Sequence, residues 1–256
     1  MKKPRLKKIK TIGKITVWIV DGSYIRQHFN IEFSNFGQHY HYRFIPTNEF
    51  WLDKTEVLGE EKFFINHLLL EHKLMAEGKK YDWAFNQADK MEHLERLQSL
   101  GIKKKLKNKH KKRELMKLIH QKLWTKYSDD QIKIWIVDGR LVRDFLLTYF
   151  TAGGHGFVYN FIPKNEIWID NVLNEKEKKL TLIHELRERN LMANGWGYDI
   201  NTLFNIRHKD KIKKGAQAAH VSARYLESYC RHHPQELENK IKLELKNNLK
   251  HPALKI

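Results

Sequence analysis

At 256 residues, 41% hydrophobic and 12% aromatic, the chain has a globular composition and room for two modest domains. Its single cysteine, Cys230, excludes an intrachain disulfide and a cysteine zinc cluster. A formal charge of +18, from 48 Lys and Arg against 30 Asp and Glu, favours polyanions through counterion release, although lysine also serves as a plain solubilising residue.

The N-terminal MKKPRLKKIK is basic. The apolar run after it, ITVWIV, is about six residues long and ends at Asp21, too short for a signal peptide or a membrane span. The chain therefore reads as soluble and cytoplasmic, with no membrane partner. Residues 15–21 are β-branched and apolar and run into Asp-Gly, a strand entering a turn. Residues 23–29 look helical. HYRFIPTNEFWLD (41–53) is two apolar stretches broken by Ile-Pro-x-Asn-Glu. Proline cannot donate to a ladder, so the spacing predicts a hairpin with its turn there. Helical patterns follow at 60–77 and about 82–98. The segment 101–127 starts as a basic run and ends as an amphipathic helix with Leu115, Leu118, Ile119 and Leu123 on one side.

From residue 132 the chain repeats itself. Residues 15–82 align with 132–199 at a constant offset of 117, with about 28 of 68 positions identical, so this is a duplicated domain. The second copy carries the same strand (132–138), helix (140–148), hairpin pattern (158–170) and long helix (175–194), closed by Asn194-Gly195. An extra lysine-rich stretch, about 200–217 with His208, moves the offset to 135. Ala84, Ala88 and Glu92 then match Ala219, Ala223 and Glu227 on a helix at 215–231. A charged helix closes the chain. The expected organisation is a degenerate first copy (1–100), a basic helical linker (101–128), a second copy (129–232) and a C-terminal helix (233–256). The fold class is α+β: two tandem homologous domains, each a small, mainly antiparallel sheet packed on two or three helices.

The copies differ where chemistry is possible. A helix brings i and i+4 to one face, so His184 and Glu188 point the same way. Both are good zinc ligands, and two ligands plus a third from elsewhere make an open three-ligand catalytic site. The third is most simply His220, from the following helix. Glu185 sits beside His184, where the general base lies in the His-Glu-x-x-His helix of zinc peptidases. Copy one keeps His67 and Glu71 but has Leu68 and Phe85 where copy two has Glu185 and His220. Such swaps fill a polar site with core, whereas the retained pair reads as a buried hydrogen-bonded pair or a relic. His155, in Thr-Ala-Gly-Gly-His-Gly, is an alternative third ligand, an oxyanion stabiliser or a plain turn residue; copy one has Gln38 there. Tyr198, matched by Tyr81, suits packing or a phenol near the metal. Glu227 is placed to hydrogen-bond a ligand histidine. The strand Ile167-Trp168-Ile169 is suited to pair with an extended substrate if it lies at a sheet edge.

The strings Val-Asp-Gly-x-x-Val-Arg, Gly-Gly-His-Gly, Ile-Pro-x-Asn-Glu-Ile-Trp-Ile-Asp, His-Glu-Leu-x-Glu-Arg-x-Leu-Met and Ala-His-x-x-Ala, over 134–227 and more faintly 17–92, resemble a compact family of phage and bacterial minimal zincin-like metallopeptidases. The resemblance implies a zinc cofactor, zinc-site roles for His184, Glu185, Glu188 and His220 with His155 nearby, and a peptide or protein substrate. It also implies an inactive first copy. The rival from another class is a non-catalytic nucleic-acid-binding or phage–host interaction protein, making weak contacts through the 101–113 run and the N-terminal lysines.

Overall fold

A computed structural model describes residues 4–55, 59–99, 109–198 and 218–248, with the side chains of 109–113 and 248 excepted. The chain divides into two units: Met1–Leu118 with Arg140–Thr151, and Ile119–Gly139 with Ala152–Ile256. The architecture is α+β, with eight helices among the described residues and two four-stranded mixed sheets, each packed on helices. No described helix is long and apolar enough to cross a membrane.

In the first unit the sheet order is β1 (Arg5–Ile12), β2 (Ile15–Val20), β4 (Glu49–Asp53), β3 (Phe36–Gly37). β1 and β2 are antiparallel, β2 and β4 parallel, and β3 and β4 antiparallel. Helix α1 (Gly22–His28) follows β2, capped by the Asp21 side chain, which accepts from the Tyr24 N–H. After β4 come α2 (Glu61–Ala76), α3 (Tyr81–Ser99) and α4 (Lys109–Ile119). One face of the sheet meets α2 through Val17, Phe50, Leu52, Phe64, Ile65 and Leu68.

The second sheet repeats the first: β5 (His120–Leu123), β6 (Lys133–Val137), β8 (Glu166–Asp170), β7 (Gly153–His155). The parallel register is conserved residue for residue, Thr16 opposite Glu49 and Lys133 opposite Glu166. Helix α5 (Gly139–Phe145) follows β6; α6 (Glu175–Ala193), α7 (Ala219–His232) and α8 (Leu237–Asn248) complete the chain. The core of this unit is Ile134, Ile167, Ile169, Leu180, Ile183, Leu186 and Ile241, all without exposed surface. The Asp-Gly step is steric in both copies. A Cβ on Gly22 would lie 1.6 Å from Asp53 Oδ2, and one on Gly139 1.8 Å from Asp170 Oδ2, so only glycine allows the strand end that close.

Three expectations need correction, and one strand was not foreseen. The hairpins over 41–53 and 158–170 do not form. Residues 41–48 and 158–165 are turns and irregular chain, and only 49–53 and 166–170 are strands, paired parallel to β2 and β6. Local bonds such as Tyr42 N–H to Gln38 O and Ile45 N–H to Tyr42 O satisfy that backbone, and Tyr42 and Ile45 enter the core from turns. Second, the basic N-terminus is a strand. β1 exposes Lys7, Lys8 and Lys10, and charge is a usual way to protect a sheet edge. Third, Leu123 belongs to β5, because the helix of 101–127 stops at Ile119. Fourth, Ile167-Trp168-Ile169 is interior, flanked by β6 and β7, and offers no free edge. The basic run 101–108, the insertion 200–217 with His208 and the terminal residues from 249 lie outside the described residues.

Candidate metal centre

Helix α6 supplies the first part of the site. Its start is fixed by Asn174, whose side chain accepts from the Glu177 N–H, and its end by Gly195 at φ +86°. Leu180, Ile183 and Leu186 anchor it in the core, which turns His184 and Glu188 toward α7. Helix α7 has no side-chain cap. Instead, the chain on either side of the insertion is joined by a bridge between Gly197 and Ala218, and the first N–H groups of α7 bond backwards, Ala219 to Gly197 O (2.8 Å) and His220 to Tyr198 O (3.0 Å). Those two bonds tie the start of α7, and with it His220, to the segment before the insertion. Along α7, His220, Ala223, Glu227 and Arg231 share one face, and Ala223, fully buried, lets the helices approach.

Three donor atoms converge. His184 Nε2 lies 3.2 Å from His220 Nδ1 and 3.5 Å from Glu188 Oε2, and His220 Nδ1 lies 2.7 Å from the same oxygen. Four ligands placed tetrahedrally about zinc at 2.0–2.1 Å stand about 3.3 Å apart. The observed spacings bracket that value, and two imidazoles with one carboxylate are a zinc donor set, so the residues fit such an ion. The tautomer fits as well. His184 Nδ1 lies 3.0 Å from Glu227 Oε2, so a neutral ring that donates there would turn its Nε2 lone pair to the site, the carboxylate–histidine arrangement usual behind metal ligands. Glu227 is held by Arg231 (2.8 Å), and Arg231 by Glu177 (2.7 and 2.9 Å).

The remaining candidates lie around this triad. Glu185 brings a carboxylate oxygen within 4.8 Å of Glu188 and His155. Burial first, then the charge of Glu188, pushes its carboxyl up to about 8. Burial also opposes the charge of Glu188, but contacts from His155, His184 and His220 outweigh it and hold that carboxyl well below its ordinary value. For His184 burial favours the neutral ring, yet Glu188 and Glu227 raise it well above 6.5. His155 ends β7 with no exposed surface and contacts Glu188 Oε1 at 3.0 Å. The Tyr198 ring stacks on His220 at 4.8 Å, so its place is beside that imidazole.

Copy one preserves the frame of this site. His67 Nδ1 meets Glu92 Oε2 at 2.9 Å, Arg96 holds Glu92 (2.8 Å) and Glu60 (2.6 Å), and Glu71 Oε2 lies 3.5 Å from His67 Nε2. Gln38 donates to Glu71 as His155 contacts Glu188. Phe85 stands at the His220 position, edge-on to His67 at 5.2 Å. Phe85 is only partly buried, so it closes the pocket from the rim and does not fill it as core. The consequence is accessibility: the His67 side chain is 1% exposed, His184 12% and His220 15%. The chain of Glu60, Arg96 and Glu92, repeated as Glu177, Arg231 and Glu227, escaped the sequence reading in its Glu60 and Arg96 members. Their identity across the two offsets, 117 and 135, was the available signal.

No protein-family profile, no curated protein and no solved structure matches this chain.

Proposed function

We propose that the second unit is a zinc-dependent hydrolase of the metallopeptidase kind and that the first copy is its closed, non-catalytic counterpart. The observation that carries this reading is the convergence of His184 Nε2, His220 Nδ1 and Glu188 Oε2 with a second carboxylate, Glu185, beside them. His184, His220 and Glu188 would hold the ion. When bound, zinc acidifies water and polarises a carbonyl oxygen. Glu185 would accept a proton at its carboxylate and return it to the leaving amine. Glu227 fixes the His184 tautomer, and Tyr198 steadies the His220 ring by stacking. The choice of a peptide bond rests on the resemblance of the His-Glu-Leu-x-Glu-Arg helix to zincin-like peptidases.

Elemental analysis of the purified full chain tests the reading. One zinc per chain is expected, lost in His184→Ala. Zinc that survives this substitution, or none in the wild type, would overturn it. Lys7, Lys8 and Lys10, exposed along β1, favour an additional weak nucleic-acid contact that brings the protein near nucleoprotein.

A further inference from the structure

His155 completes a second group of metal-capable atoms, with Glu185 and Glu188. Glu188 belongs to both groups, so two arrangements compete. Either Glu188 bridges two ions, with His155 and Glu185 holding the second, or His155 serves another purpose. The hydrogen bonds decide between them. The Phe157 backbone N–H donates to His155 Nδ1 at 3.2 Å, so Nδ1 carries a lone pair and no proton. A neutral imidazole then has its hydrogen on Nε2, which points at Glu188 Oε1 at 3.0 Å. To ligate through Nε2 the ring would need its proton on Nδ1, facing another N–H in a fully buried place. Copy one offers an independent comparison. Gln38 occupies the same position and donates its amide to Glu71 Oε1. An amide nitrogen is a donor only. What the two copies share at this position is therefore an N–H aimed at one carboxylate oxygen.

We infer that His155 is a positioning residue: its Nε2–H holds Oε1 of Glu188, so that Oε2 alone faces His184 and His220 and the site takes one ion. This rests on the metal-centre reading above for its purpose, but its geometry can be tested without metal. Long-range nitrogen–proton NMR correlation on the metal-free, uniformly ¹⁵N-labelled full chain should show His155 as the Nε2–H tautomer. An Nδ1–H tautomer overturns the inference. That measurement decides even in a protein that binds no zinc, a result that would sink the hydrolase reading and leave the His155 assignment standing. Zinc titration against a chromophoric chelator supplies the second readout. Wild type should bind one zinc. His155→Gln, which restores the copy-one donor, should stay within about threefold of wild type, and His155→Ala should weaken binding by about 10–100-fold. If His155→Gln weakens binding as much as His155→Ala, or if wild type binds two zincs and both variants lose one, the imidazole is a ligand and the inference is wrong.

Discussion

His67 should make the protein's stability fall in mild alkali. Its ring is enclosed, 2.9 Å from Glu92 Oε2 and 3.5 Å from Glu71 Oε2, with Phe85 across it. Burial alone would discharge it, but the two carboxylates outweigh burial and raise its pKa from 6.5 to about 9. Between those values the native state keeps a proton that the unfolded chain releases. A native state that binds more protons loses stability as pH rises, at most about 1.4 kcal/mol per pH unit, or about 3 kcal/mol over the whole interval. The contribution is complete below about pH 6.5 and gone above about pH 9. His67→Gln removes the titrating ring yet leaves a donor for Glu92. Asp89 and Arg96 also surround this cluster and are present in both proteins. Urea unfolding of wild type and His67→Gln at both ends of the interval should show their stability difference shrinking by about 3 kcal/mol on going to alkali. A difference that stays constant with pH would refute a charged His67.

Three further outcomes follow from the site and the surface. Glu185→Gln should keep zinc but lower peptide hydrolysis by about 10²-fold or more, since an amide cannot take the proton, whereas Glu188→Ala should lose the zinc itself; the reverse pattern, read by metal content and a fluorogenic peptide assay, would exchange base and ligand. Arg231→Met leaves Glu177 and Glu227 buried without their cation, which should cost about 3–5 kcal/mol in chemical denaturation. An unchanged unfolding midpoint would show that those carboxylates are relieved elsewhere. Binding to a mixed-sequence oligonucleotide should weaken steeply from low to physiological salt and drop further when Lys7, Lys8 and Lys10 are changed to Gln; salt-insensitive binding would argue against lysine–phosphate contacts.

Self-comparison made much of this architecture legible. The equivalent strands 15–20 and 133–137, the long helices and the shared face of His184 and Glu188 all follow from apolar pattern and helical spacing. The hairpin expectation went wrong because alternating aromatic and polar residues in 41–45 mimic a strand, while Gln38 and Tyr42 carbonyls capture the backbone locally. β1 was hidden by composition: with Lys7, Lys8 and Lys10 in eight residues, the half-buried Ile9 and Ile12 carry too little apolar signal. His155 could not be placed from sequence alone. Whether it ligates, donates or merely turns depends on which ring nitrogen meets a backbone N–H, a fact of tertiary position. The buried arginines Arg96 and Arg231 look like surface charges on a helix until each guanidinium is seen to bond two buried carboxylates.

The bridge between Gly197 and Ala218 separates chain length from the alignment of the candidate site. The third donor arrives on a helix whose starting point is pinned to the end of the preceding segment by backbone bonds, so residues added or removed between the pins do not rotate His220. Loop closure grows only logarithmically with length, about 0.6 kcal/mol per doubling. The chain can therefore differ in length here at small thermodynamic cost, and the second copy is 18 residues longer than the first at this point. The same tolerance makes this junction a suitable point for grafting a reporter or a targeting peptide beside the site without redesigning the helices that build it.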